Sequence, residues 1–425
     1  MPDDVLVMIL SLLPIKEAVA TSSLSTTWRF LWRNLSRLNF DGTQTLNKTG
    51  STGWTYKYIE QVNSVIKSYN RPILQDFRVH FRLKNHHKGH IDEWIQFVIN
   101  KKVEFLELNL TDKDQYLTED LNSYDFPLFK TNRRPLNATV VEILCLRKLI
   151  LKMVNVTDSI LEELLTTCPH LETIVIHYSV YLEHIRVNGR ALKLKHLEIV
   201  GTNSLNSIYL SDFDLVSFTY KGCIIDLRLT NLPTLKEVYL YPISNGTPSI
   251  DDNVFDQISS CALSRQALSF DFCYHMEGLK LDSLPELPNL KKFRLVIGGS
   301  KCNFLLDLAS ILNACPKLET FTLEPFWSSS VTNKRKARGS VIPHDHLKLV
   351  KIKGFYCRTS DFELAAFTIR ICVALKKIVI DPCHNQRQLP IKTVRKFLMN
   401  KEAALSSAKH QLETILPSGV ELCIL

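Results

Sequence analysis

The chain lacks the short motifs that carry most catalytic chemistry. No phosphate-binding glycine loop, dinucleotide fingerprint, nucleophile elbow or H-E-x-x-H stretch occurs in its 425 residues. The chemistries that depend on those spacings are therefore not expected. Ser, His and Asp are all present, but no spacing brings them together, so the chain is expected to be no enzyme and to need no cofactor or metal. Its eleven cysteines include no C-x-x-C pair, which argues against a zinc ribbon or a disulfide framework. They read as small buried hydrophobes in a reducing compartment, so a cytoplasmic and/or nuclear location is expected. No window is apolar and uncharged for long enough to span a bilayer. The apolar run from Val5 to Leu13 is preceded by Asp3 and Asp4, where a signal peptide needs basic residues, and is followed by Pro14, Lys16 and Glu17.

What is present suits a large globular protein. The composition is 45% hydrophobic and 22% charged, enough for a substantial core. The length suits two or three domains or one long repeat array. A formal charge of +9 permits an acidic partner without identifying one.

Three helices are expected in the first forty residues. Pro2 suits a first helical turn, and Asp3 and Asp4 complement the helix dipole. Leu6, Ile9, Leu10 and Leu13 mark one face, while Val5, Val7, Met8 and Leu12 are apolar on the others. Pro14 ends this helix. "IKEAVATS" reads as a second, and "SLSTTWRFLWRNL" as a third with Leu24, Trp28, Leu31, Trp32 and Leu35 on one face. So short a unit cannot bury that much apolar surface, and the surplus predicts a partner protein.

These residues carry a resemblance. The stretch from Met1 to Asp41 resembles the F-box of plant F-box proteins. It matches at Pro2, Leu6, Ile9, Leu10, Leu13, Pro14, Leu24, Ser25, Trp28, Arg29, Leu31 and Trp32. The resemblance implies docking on the Skp-type linker of a Skp–cullin–F-box ubiquitin ligase, with Pro2, Leu6, Ile9, Leu10, Leu13, Pro14, Leu24, Trp28 and Trp32 as linker-binding residues. Met1 stands where the family has Leu, and Thr26 and Thr27 replace a usual basic pair.

The rest of the chain repeats. A Leu-x-x-Φ-x-Φ pattern, Φ being apolar, recurs from Leu74-Phe77-Val79 to Leu375-Ile378-Ile380, with a degenerate copy at Arg265-Leu268-Phe270. Most steps fall between about 20 and 29 residues, the leucine-rich-repeat range. "CPHLETIVI" (168–176), "CPKLETFTL" (315–323) and "CVALKKIVI" (372–380) each follow an amphipathic stretch. Each full unit thus reads as helix, turn, strand, and between 194 and 240 mostly strands and tight turns are expected. The array resembles the irregular leucine-rich repeats of plant F-box proteins, and residues 346–382 resemble the FBD region that closes many of them, with Ile352 in place of its usual tryptophan. The expected fold class is α/β: a small all-α three-helix F-box, then an irregular leucine-rich-repeat solenoid with parallel strands on the concave side and helices and turns on the convex side. The expected boundaries are 1–40 F-box, 41–72 linker and leading helix, 73–345 repeats, 346–382 FBD-like terminal repeat and 383–425 C-terminal cap.

The outward strand positions are the candidate target surface. In the C-terminal half they include Lys291, Lys292, Arg294, Lys348, Lys351, Lys376 and Lys377. If the repeats are regular these form one basic stripe, suited to an acidic or phosphorylated protein. The N-terminal counterparts Glu172, Thr173, Lys195, His196, Glu198, Ser217 and Thr219 are mixed. His86, His87 and His90 read as a solvated turn, since no Cys or carboxylate completes a ligand set. "NKRKAR" (333–338) reads as an exposed charged loop or a nuclear import signal. The expected function is a ligase adaptor that binds the linker and a target protein and touches no membrane. Two alternatives stay open: a repeat scaffold whose F-box no longer joins a ligase, and a basic nucleic-acid binder.

Overall fold

Period-two alternation at the Leu-x-x-Φ-x-Φ sites becomes rows of short parallel strands. In the computed structural model, residues 2–43, 52–111, 122–127, 145–223, 225–242, 266–272, 286–299, 304–327, 343–355, 357, 359–382 and 401–425 are described. Residues 44–51 of the expected 41–72 linker, and "NKRKAR" (333–338), lie outside the described residues. The chain divides into two units, 1–215 and 216–425.

The first unit opens with helices α1 (Asp3–Leu10) and α2 (Ile15–Ala20). Pro14 precedes α2 in an extended conformation that breaks the helical run. The third helical segment, Trp28–Asn34, is wound as 3-10 helix. Strands β1 (Arg37–Asp41), β2 (Asp76–His80), β3 (Phe105–Asn109), β5 (Lys148–Lys152), β7 (Thr173–His177) and β9 (His196–Val200) pair in that order, all parallel. The two-residue strands β4 (Tyr124–Asp125) and β6 (Val154–Asn155) pair separately, as do β8 (His184–Asn188) and β10 (Ser207–Ser211). Helices α3 (Thr52–Ser68), α4 (Lys88–Asn100) and α5 (Asp158–Thr167) complete the unit.

The register explains the core. Leu38, Phe77, Leu106, Leu149, Ile174 and Leu197 stand side by side on successive strands, and all are buried. A second row of Phe40, Val79, Leu108, Leu151, Ile176 and Ile199 lies two residues on. Each such side chain contributes about 1.5–3 kcal/mol when buried.

The second unit holds β11 (Ser217–Gly222), β12 (Asp226–Thr230), β13 (Glu237–Pro242), β14 (Ala267–Phe272), β15 (Lys292–Gly299), β16 (Thr320–Trp327), β17 (Leu349–Lys353), β18 (Lys377–Asp381) and β19 (Glu421–Ile424). From β11, passing over β12, the strands run parallel in sequence order to β19. Leu268 and Phe270 of the degenerate copy lie on β14. Helices α6 (Phe304–Ala314), α7 (Thr359–Ile371) and α8 (Lys401–Glu413) lie between later strands. Phe270, Phe293 and Phe321 follow one another through the core, the first pair edge-to-face and the second tilted, with centroids 5.9 and 5.8 Å apart.

The shared Cys phrase is one turn used three times. The N–H groups of Cys168, Cys315 and Cys372 donate to Leu164, Leu312 and Thr368 carbonyls, and Leu171, Leu318 and Leu375 N–H groups donate back to the three Cys carbonyls. Burial pushes the thiols of Cys168, Cys315 and Cys372 up to about 11, 12 and 12. They stay protonated, which suits packing and opposes reactivity.

Candidate functional site

The N-terminal helices divide their apolar residues between an inside and an outside. Leu6 and Leu10 of α1 are buried with Ile15, Ala18, Leu31, Trp32 and Leu35. This small core uses up three of the nine expected linker-binding residues: Leu6, Leu10 and Trp32. Trp28 is half-buried, while Pro2, Ile9, Leu13, Pro14 and Leu24 are exposed. Leu24, one of the nine, is 67% exposed. The outside also presents apolar residues that pattern reading left off the site: Leu12 is 81% exposed and Met8 64%, and Val5 and Phe30 are exposed as well. Val5, Met8 and Leu12 already stood apart in the sequence, on the sides of the apolar run away from Leu6 and Leu10. The Arg33 guanidinium sits 4.5 Å from the Phe30 ring and holds it on the surface. This much uncovered apolar surface on one small unit makes it a candidate docking site.

That surface is fixed to the first repeat. β1 lies inside the stretch that reads as F-box, yet it is the first strand of the sheet. The Tyr69 hydroxyl donates to the Leu35 carbonyl at 2.7 Å and the Tyr58 hydroxyl to the Phe40 carbonyl at 2.7 Å. Arg71 Nη1 donates to the Asn34 carbonyl at 2.8 Å. Burial raises both tyrosines, Tyr69 to about 12, so both keep the proton they donate. Gly42 follows β1 where a Cβ would strike the Phe81 ring.

The seven basic residues of the second unit occupy three rows of the sheet and are interleaved with acids. Glu319 stands between Lys291 and Lys348, at 3.9 and 3.1 Å. Buried Glu324 accepts from Arg294 Nη2 at 2.8 Å and Nε at 3.1 Å, and lies 3.2 Å from Lys353. Lys377 meets Glu421 at 2.6 Å. The Lys348 hydrogen bond holds the Glu319 carboxyl below its ordinary range, and the Glu421 bond raises Lys377. Lys292, Lys351 and Lys376 are left without a side-chain partner among the described residues. The cations are therefore not one continuous positive stripe, because the repeats place acids in register with them.

The first unit uses the same ladder position. Just before successive strands stand Glu104, Arg147, Glu172 and Lys195, each within 3.7 Å of the next. Further along the strand face His177 Nε2 lies 2.7 Å from Glu198, which is held below its ordinary range by that bond. Thr173 and His196 begin β7 and β9, and Ser217 and Thr219 lie on β11 in the second unit. His86 and His87 lie in a 3-10 turn and His90 in the first turn of α4, facing Asn63 across 3.4 Å. Among the described residues no three His, Cys, Asp or Glu side chains gather to hold a metal. No helix there is long and apolar enough to cross a membrane.

Comparison with known proteins agrees at both ends. Residues 1–40 match the F-box domain model, and residues 72–425 match the model described as At1g61320/AtMIF1, LRR domain. The chain belongs to the plant F-box/leucine-rich-repeat family. Its F-box/leucine-rich-repeat relatives include three from Arabidopsis thaliana. FBD-associated F-box protein At5g22730 is 24% identical, over 89% of this chain and 86% of that protein. F-box/FBD/LRR-repeat protein At5g53840 is 24% identical, over 89% and 86%. F-box/LRR-repeat protein At3g03360 is 23% identical, over 82% and 73%.

Proposed function

We propose that this F-box/leucine-rich-repeat protein is the substrate-recognition subunit of a Skp–cullin–F-box ubiquitin ligase. The exposed apolar face around Met8, Leu12 and Leu24 takes the Skp-type linker, and the outward strand faces of the repeats take the target. The observation that carries this reading is the division within the F-box: Leu6, Leu10 and Trp32 already satisfy its core, and Met8, Leu12 and Leu24 remain uncovered. The chain performs no chemistry itself. It holds a target lysine near a charged ubiquitin carrier and so contributes proximity and orientation. In the second unit Lys292, Lys351 and Lys376 are the cations available to an acidic or phosphorylated target, and the adaptor works in the cytoplasm and/or nucleus.

The test is capture of a purified Skp-type linker by the full chain. Leu12→Asp combined with Leu24→Asp targets the outside and spares the core, where Leu6→Asp would unfold the unit. The native chain is expected to retain the linker, and the double variant to lose at least about 30-fold in affinity, the scale of an interface hot spot. Absence of capture by the native chain would leave a repeat scaffold with no ligase role.

A further inference from the structure

We propose that a basic patch at the turns leading into β2 and β3 docks an acidic protein segment that carries an apolar residue. The patch shares no residue with the linker face or with the cations assigned to the target.

The two turns lie side by side. The Leu74 N–H donates to the Lys101 carbonyl at 3.0 Å, and Lys101 Nζ donates to the Arg71 carbonyl at 2.7 Å. α3 ends at Ser68 and α4 at Asn100, so both helices deliver their last residues to this place. Lys67 stands in the final turn of α3, four residues before Arg71, and Lys101 and Lys102 come just past α4. Lys67, Arg71 and Lys102 are exposed, and Lys101 is half-buried.

None of these four cations meets a carboxylate among the described residues, and every residue from Gly53 to Thr111 is described. The acids nearest in the chain are occupied, Asp76 by Arg37 and Arg78 and Glu104 by Arg147. Arg71 bonds the Asn34 carbonyl instead, and Lys101 Nζ lies 5.5 and 5.7 Å from the Tyr69 and Phe97 rings. The C-terminal dipoles of α3 and α4 offset about half a charge each, so about three positive charges stay uncompensated. Further along the same edge Glu104, Arg147, Glu172 and Lys195 neutralise one another. The alternation stops here, because the residue just before β2 is the neutral Gln75.

An apolar residue beside the cations defines the occupant further. Ile73 is 55% exposed, although its neighbour Leu74 is fully buried. Its place is fixed: Pro72 restricts the turn before it, and the Tyr69 hydroxyl meets the Ile73 carbonyl at 3.4 Å. A held apolar side chain next to unpaired cations suits a protein segment of opposite charge with an apolar contact of its own. A nucleic-acid backbone would engage the cations and leave Ile73 without a role, so the acidic protein segment is the better fit.

The probe is a fluorescein-labelled peptide of Glu and Asp with one central Leu, titrated into the full chain and followed by anisotropy. Saturable binding is expected, weakening as salt is raised. Lys67→Glu with Lys102→Glu should weaken it about tenfold. Lys236→Glu with Lys317→Glu makes the same change of net charge at exposed positions of the second unit and should leave binding within about twofold. Ile73→Ala, or Ala for the peptide Leu, should cost about threefold. Should the Glu pair disturb the fold, by circular dichroism, Lys67→Gln with Lys102→Gly carries the test and should weaken binding about threefold. Glycine suits the left-handed backbone of Lys102, at φ 53°. No saturable binding, or equal loss from the variants of the two units, would overturn the proposal. So would tighter capture of a single-stranded oligonucleotide that needs Lys67 and Lys102 but not Ile73, which assigns the patch to nucleic acid. Full displacement of the peptide by a Skp-type linker would overturn it as well.

Discussion

Helices α1 and α5 are both rich in leucine and isoleucine, and they end in opposite circumstances. α5 hides Ile160, Leu161, Leu164 and Leu165, because a repeat supplies a sheet for it to lie on. α1 hides only Leu6 and Leu10 and leaves Met8 and Ile9 in water, with Leu12 and Leu13 just beyond. The forty residues around α1 have too little surface to cover it. Apolar periodicity states that a helix needs cover; only the fold states whether the same chain provides it.

The largest effect that would sharpen this contrast lies in the repeats. Leu164→Ala should cost about 3 kcal/mol in chemical denaturation, as a large-to-small change in a closed core. Leu12→Ala, the same replacement on the uncovered side of the F-box, should cost less than about 0.5 kcal/mol. Equal costs would break the comparison. Next, Leu12→Asp alone should lower linker affinity by about 2 kcal/mol in a titration, with the denaturation midpoint nearly unmoved. A parallel fall in stability would make Leu12 a core residue instead. Polar ladders should matter less than either. Glu172→Gln removes contacts at 3.4 and 3.2 Å to Arg147 and Lys195, and its cost should stay within about 1 kcal/mol and shrink as salt is raised. The smallest effect is a pH dependence. Glu198 titrates below its ordinary 4.5 in the folded chain because His177 bonds its carboxylate. Its contribution is full above pH 4.5 and is lost as pH falls through the folded value. Glu198→Gln should flatten that acid limb by a few tenths of a kcal/mol, since the carboxylate is partly in solvent.

The repeats were legible because a strand packed on one face must alternate, and Leu-x-x-Φ-x-Φ is that alternation written out. Even the degenerate copy around Leu268 and Phe270 keeps it. β1 was harder to see: "RLNFD" sits inside the F-box match, and nothing local separates a strand that closes a helical unit from one that opens a sheet. The third helical segment tightened to 3-10 turns where Ser25, Thr26 and Thr27 precede Trp28; the Ser25 hydroxyl takes the Trp28 N–H, a side-chain bond that competes with α-helical pairing. β8 escaped notice because "HIRVN" alternates only briefly. At the candidate surfaces, residue types were readable but their partners were not. Arg294 and Glu324 are thirty positions apart, and only the repeat lengths between them bring them into register.

One strand serving two structures leaves no joint between them. β1 closes the F-box and opens the first repeat, so turning one against the other would mean stripping β1 from β2. A tethered pair of modules samples a sphere of orientations, and its effective concentration is diluted over that volume. Here the handle and the start of the blade are cut from one piece. A load carried on the first unit would face a single direction whenever the F-box is gripped. Which of its lysines come within reach would then be a matter of bearing rather than of tether length, and a flexible insert after Asp41 should blur that choice.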